Sequence, residues 1–240
     1  WLVALMVGLG LLQLFAMGRS IHHVRDRLVR RTPHGRFTGR SPADAIAALR
    51  QAVEADPENA ELHYLLADML SSQDRHAEAL EEYQEAARLA PDNDGYLVDT
   101  GVCQYRLGDI EGSVESYQKA LEVNPANWVA HDNLGFDYYD LGDTDKAVEH
   151  WEKAAELAPD QADIWAGLAI GRLAQGDESG AIKAYQRAVD LNPHYLEPEW
   201  MKVEALWSDK ALAAAEPLME KARAPASRPP APPTEPTIDI

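Results

Sequence analysis

Residues 128–161 read WVAHDNLGFDYYDLGDTDKAVEHWEKAAELAPDQ, and this stretch decides the fold. Its Pro159 stands in register with Pro57, Pro91, Pro125 and Pro193, each 34 residues from the next. Small residues recur at the same step, at Ala67, Gly101, Gly135 and Ala169, at Ala79, Ser113, Ala147 and Ala181, and at Ala86, Ala120, Ala154 and Ala188. A large aromatic does the same at Tyr83, Tyr117, Trp151 and Tyr185. Five prolines in phase with four side-chain series mark an internal repeat of 34 residues.

Within one unit, Leu134, Tyr138 and Leu141 recur at helical spacing, as do Ala147, Trp151, Ala154 and Ala155. Each unit therefore holds two amphipathic helices. Gly142-Asp143 lies between them and returns as Gly108-Asp109 and Gly176-Asp177. The glycine can take the left-handed conformation that ends the first helix, and the aspartate can cap the second. The closing proline cannot continue the second helix and restricts the residue before it. One such pair cannot bury its apolar face alone, so stacked copies must share a continuous core.

On these residues the chain resembles the tetratricopeptide repeat (TPR) family. The resemblance implies an all-α fold, a right-handed α-solenoid of helix pairs, and the apolar stretch at the start of the sequence is expected to place a single transmembrane helix before it. The predicted solenoid spans 41–224: a half unit at 41–59, full units at 60–93, 94–127, 128–161 and 162–195, and a degenerate capping unit at 196–224. Ser41 is a helix cap with Pro42 in the first turn. The unit 60–93 has Asp74-Arg75 in place of Gly-Asp, so a different turn is predicted there. Beyond the last full unit, Trp200, Val203, Leu206 and Trp207 predict one amphipathic helix and Ala211–Arg223 another, with Pro217 kinking or interrupting the second.

The flanks differ in kind. Trp1–Met17 is apolar apart from Gln13 and carries no charge, which predicts a membrane anchor over 1–18. Ala16-Met17-Gly18 makes a poor signal-cleavage site. The linker 19–40 has seven arginines and one aspartate, a local +6. Arg19, Arg25, Arg27, Arg30 and Arg31 are expected to meet lipid headgroups and to hold the solenoid on the cytoplasmic side of a single-pass membrane protein. His22-His23 is read as an interfacial pair, since adjacent helical residues point apart. Residues 225–240 include six prolines and predict an extended or disordered tail.

The formal charge of the chain is −18, and from Ser41 to Ala224 there are 14 Lys/Arg against 37 Asp/Glu, a local −23. Such a body argues against nucleic acid as a partner. The sequence has no phosphate-cradling glycine loop, HExxH or Gly-x-Ser-x-Gly motif. The eight histidines are scattered, and no catalytic residue, cofactor or metal is expected. The single cysteine, Cys103, falls on an inward helical position and reads as a packing residue.

The resemblance also implies a binding surface. In TPR solenoids the first helices line the inner face, where partners bind as peptides or helices. Positions 2, 5, 9 and 12 of each unit form that stripe. The candidate groove residues are Tyr64 and Asp68, then Val98, Val102 and Tyr105, then Val129, Asp132, Phe136 and Tyr139, and finally Ala166, Ile170 and Leu173. Over the last three units the stripe is apolar on a face expected to be open, which marks an interaction site. The alternative is that these side chains pack only within the superhelix. One TPR subclass clamps acidic C-termini with lysines and asparagines, but the corresponding places here hold Tyr64, Asp68, Asp99, Val129 and Asn133. A basic or apolar partner suits this groove better.

The expected function is that of a membrane-anchored adaptor. Its groove holds a protein, a membrane protein in particular, and assists assembly or tethering of a complex. The alternatives are a constitutive structural subunit whose transmembrane helix packs against other spans, and a regulatory docking module for a separate enzyme.

Overall fold

The structure, a computed structural model, describes residues 41–223. Its helices are α1 (Pro42–Ala55), α2 (Ala60–Ser71), α3 (His76–Leu89), α4 (Asp94–Arg106), α5 (Ile110–Val123), α6 (Trp128–Leu141), α7 (Thr144–Leu157), α8 (Ala162–Ala174), α9 (Glu178–Leu191), α10 (Pro198–Val203) and α11 (Asp209–Arg223). A 3-10 turn, Pro193–Leu196, links α9 to α10. The described residues contain no strand. Within the compact unit that begins at Leu49, α2 pairs with α3, α4 with α5, α6 with α7 and α8 with α9. The second helix of each pair packs on the first helix of the next. The described chain is thus a solenoid of helix pairs.

Local chemistry sets the helix ends. Asn59, Asn93 and Asn127 cap α2, α4 and α6, their side-chain oxygens accepting from Leu62, Tyr96 and Ala130 amides. Asp109, Asp143 and Asp177 cap α5, α7 and α9 by accepting from Gly112, Lys146 and Gly180. The preceding Gly108, Gly142 and Gly176 have φ of +83°, +88° and +86°, the left-handed geometry their spacing predicts. In the unit 60–93 the turn does differ. Asp74 takes φ +57° without being glycine, and Arg75 offers α3 no side-chain cap. Arg75 instead holds Glu78, at 2.6 Å, which Arg50 also reaches at 2.6 Å. At the start of α1, Ser41 and Asp44 cap one another reciprocally.

The aromatic series makes the core. Tyr83, Tyr117, Trp151 and Tyr185 are at most 5% exposed. Tyr117 lies on Gly101 and Trp151 on Gly135, the small residues of their units' first helices. Trp151 is fully buried against Gly135, and it also reaches Gly167 and Gly171 of the following pair. One contiguous cluster runs from Val98 to Met219 and takes in the C-terminal helix.

A further device joins successive units. The ring at position 4 turns back to the carbonyl of the proline that closes the preceding unit. His63 Nε2 lies 3.0 Å from the Pro57 oxygen, His131 Nε2 3.3 Å from that of Pro125, and Trp165 Nε1 2.9 Å from that of Pro159. Each ring N–H satisfies a carbonyl left over at a helix end.

Two expectations at the C-terminus are corrected. Trp200–Trp207 is not one helix: α10 stops at Val203, Leu206 turns left-handed at φ +60°, and Trp207 folds inward, 4% exposed. Helix α11 runs unbroken through Pro217. Its buried Ala211, Ala215, Leu218 and Met219 pin it to the core, while Ala213, whose carbonyl would meet the missing proline N–H, is exposed to water. Among the described residues no helix is long and apolar enough to cross a membrane. The predicted anchor at 1–18, the collar arginines 19–31 and the tail 225–240 lie outside the described residues.

Candidate protein-binding face

The predicted stripe lies on the first helices α2, α4, α6 and α8, but its members divide into two groups. Tyr64, Asp68, Val102, Tyr105, Val129, Phe136 and Leu173 are partly accessible. Val98, Asp132, Tyr139, Ala166 and Ile170 are buried. An open apolar stripe over the last three units is therefore corrected. Its C-terminal half is covered by the chain's own Trp207 and α11.

The covering contacts are specific. Phe136 lies edge-on between Trp151 and Trp207, its ring 5.1 and 5.3 Å from theirs. Asp140 ties three elements: it accepts from Tyr105 Oη at 2.9 Å and from Ser208 Oγ at 2.7 Å. Lys210 donates to the Tyr139 carbonyl and stands 4.6 Å over the centroid of the Tyr139 ring. A lysine suits the C-terminal end of α6, where carbonyls lack helical partners and the helix dipole is negative. Farther along, Lys221 pairs with Glu178 and Arg223 with the Leu196 carbonyl. The predicted capping unit 196–224 places a cover here, but no periodic pattern marks the particular contacts of Trp207, Ser208 and Lys210, because all three lie outside the repeat.

What stays open is the inner face of α2, α4 and the first turns of α6. Tyr64 stacks on Tyr96 at 4.8 Å. Around these rings the face is acidic. Burial pushes the Asp99 carboxyl up to about 7, partly offset by a hydrogen bond with the Tyr64 hydroxyl. The same carboxyl is the main cause of a strongly raised Tyr64 pKa. Burial likewise raises Asp137 to about 7, although Ser113 Oγ donates to it. Asp132 and Asp163 face each other from α6 and α8, and both are raised, chiefly by burial. Helices α2 and α6 contain no lysine or arginine. On the open part of this face the accessible carboxyl is that of Asp68, with Asp99 buried behind the Tyr64 hydroxyl.

Cys103 packs as predicted. It is 1% exposed, its Sγ donates to the His76 carbonyl at 3.1 Å, and burial pushes its thiol up to about 11. Among the described residues no group of three or more His, Cys, Asp or Glu could hold a metal.

Several known proteins share this architecture. The crystal structure of MamA superposes with a TM-score of 0.59 at 21% identity, covering 63% of this chain and 89% of that one. MamA 41-end from Desulfovibrio magneticus RS-1 gives 0.58 at 18% identity, covering 64% and 86%. YrrB, described as a TPR protein with an unusual peptide-binding site, gives 0.55 at 20% identity, covering 63% and 78%. At these identities the likeness is one of fold. No curated protein matches the chain. Tetratricopeptide repeat profiles match residues 36–94 and 133–195, and a second one matches 98–127. With the repeat geometry above, these matches over more than half the sequence show that the chain belongs to the tetratricopeptide repeat family.

Proposed function

We propose that this protein is a membrane-anchored adaptor that holds a cationic segment of a partner protein on the open inner face of α2, α4 and α6. The partner is a membrane protein, and the adaptor assists its assembly or tethering into a complex. The observation that carries the reading is the accessible Tyr64, Asp68, Val102 and Val129 over dehydrated carboxyls, on helices nearly free of basic side chains. A cation beside Asp99, whose carboxyl titrates near 7, favours the ionised form, and the flanking apolar surface adds contact area. YrrB, of the same fold, has a peptide-binding site, which agrees with this use of the inner surface. The uncharged Trp1–Met17 stretch supports an anchor. Anchoring raises the effective concentration of partners in the same membrane.

The test is recovery of a partner from detergent-solubilised membranes with the full chain as bait. Val102→Glu combined with Val129→Glu should abolish recovery of that partner while circular dichroism stays unchanged. A folded double variant that still recovers it rules out this face as the docking surface.

A further inference from the structure

Trp151 brings two carboxyls together as well as two helices. Its ring nitrogen lies 2.4 Å from where a β-carbon on Gly135 of α6 would stand, and 2.5 Å from the same point on Gly167 of α8. Asp132 stands one turn before Gly135 and Asp163 one turn before Gly167, on the helix faces that flank the indole N–H. Asp132 is 7% exposed, and its Oδ1 is buried without a hydrogen-bond partner of normal geometry. The buried Trp151 Nε1 is in the same condition. Asp163 is partly accessible, so the pair is reached from its side.

The repeat supplies an internal comparison. The places equivalent to Asp132 and Asp163 hold Tyr64 and Gly95 at one junction between units, and Val98 and Val129 at the next. Val98 is buried there and Val129 half-buried. Apolar side chains therefore satisfy the stacking of units at these positions, and packing gives no reason for two acids. Nor does the chain neutralise them. Helix α6 has no lysine or arginine, and Arg172 stands in the last turn of α8, paired with Glu152 at 3.0 Å. On α7, Lys146 and Lys153 are paired with Asp143 and Glu156. Burial raises both carboxyl pKa values; at Asp132 the Asp163 charge adds to it and the Trp151 N–H opposes it. A buried carboxyl oxygen without a donor is destabilising, and a donor from outside the chain removes that penalty.

We propose that Asp132 and Asp163 together hold one arginine side chain of the partner protein. This rests on the inner face being the docking surface, and it adds the side chain that the surface selects. The chemistry of the pair chooses the ligand. Two carboxyls on neighbouring helices need donors along two edges of one group, which a planar guanidinium has and a compact ammonium lacks. A guanidinium is also the more weakly hydrated cation, so it loses less on entering a site that excludes water. A bare calcium ion takes about six to eight oxygen ligands, and among the described residues no group of three or more candidate metal ligands gathers. With the arginine in place both carboxyls are ionised, and the Trp151 N–H donates to the Asp132 carboxylate.

The experiment uses the full chain in detergent, isotope-labelled at its tryptophan nitrogens, and titrates it with N-acetyl-arginine amide under magnetic resonance. The Trp151 indole signal is identified by its loss in Trp151→Phe. In the wild type that signal should shift saturably with the arginine probe, less with N-acetyl-lysine amide, and not with the uncharged isostere N-acetyl-citrulline amide. Asp132→Asn and Asp163→Asn should each weaken the arginine response at least about tenfold, the loss of a charged hydrogen bond. Glu115→Gln, on the exposed face of α5, should match the wild type. Asp132→Val with Asp163→Val recreates the Val98–Val129 pair; it should stay folded, melt at a higher temperature and lose the response altogether. The proposal is overturned by equal responses in the wild type and the single Asp132 and Asp163 variants, or by an equal response to lysine or citrulline. Saturation of the same signal by CaCl2 in place of the arginine probe overturns it too. Partner recovery separates this site from the reading it rests on. If Val102→Glu with Val129→Glu abolishes recovery and Asp132→Val with Asp163→Val does not, the face docks the partner and this arginine site is wrong. If the glutamate substitutions leave recovery intact, the docking face is wrong, whatever the probe shows at Trp151.

Discussion

The Trp151 indole lies directly on Gly135: a β-carbon built on that glycine would stand 2.4 Å from the ring nitrogen. Gly167 of the next pair is placed equally close, at 2.5 Å. The largest side chain in the repeat thus occupies a slot that exists only because two glycines face it. At the same positions the units 60–93 and 162–195 carry Ala67 with Tyr83 and Ala169 with Tyr185, all of them buried.

Gly135→Ala should therefore cost about 1–3 kcal/mol through overpacking. Trp151→Tyr alone should also destabilise, by leaving a cavity. Together they recreate the Ala–Tyr combination, so the double variant should lose less than the sum of the single losses. Chemical denaturation of the four proteins measures this coupling, and additivity would show that the two residues do not act on one another.

Asp74 holds a left-handed conformation that glycine supplies in the three later units. Asp74→Gly removes that strain and should stabilise the protein by about 0.5–1 kcal/mol, although glycine adds freedom to the unfolded chain. A rise in the denaturation midpoint checks it. No rise would mean that the pairing of Asp74 with His76, at 3.8 Å, offsets the strain.

Asp99 gives a pH signature. Its folded-state pKa of about 7 lies above the ordinary 3.8, so between these values the folded protein keeps a proton that the unfolded chain has lost. From this group alone, stability is greatest below about pH 4, declines as pH rises, and reaches its minimum above about pH 7. Asp99→Asn does not titrate. It should match the wild type near pH 4 and exceed it by up to about 4 kcal/mol at pH 8. Melting curves across that range decide it; a constant difference would mean the carboxyl is not dehydrated.

Ending the chain at Glu204 removes Trp207 and α11 and uncovers Phe136 and Tyr139. The shortened protein should melt at lower temperature and bind hydrophobic dyes, because an apolar end without its cap faces water. Trp207→Ala should reproduce part of the loss, about 3–5 kcal/mol for a buried tryptophan. Unchanged melting in both would show that the C-terminal segment is not part of the core.

Much of the solenoid was legible because its physics is local and repeated. Glycine at 108, 142 and 176, aspartate after it and proline at the close each specify one turn or one helix end. The asparagine caps at 59, 93 and 127 carry the same periodicity. Their role appears only when the capped amides are seen. The meeting of Asp132 with Asp163 was hidden for another reason: the two share no helix, and only interhelical register sets their distance.

By itself the sequence determined the helix pairs, their number over 60–195 and the aromatic–small-residue packing, since each follows from side-chain volume and backbone preference within a 34-residue period. Only the tertiary structure decided which part of the inner face is open. That depended on where a non-repeating segment came to rest. Its resting place is set by long-range contacts, Trp207 on Phe136 and Lys210 at the end of α6, between residues about 70 positions apart that no periodic pattern relates.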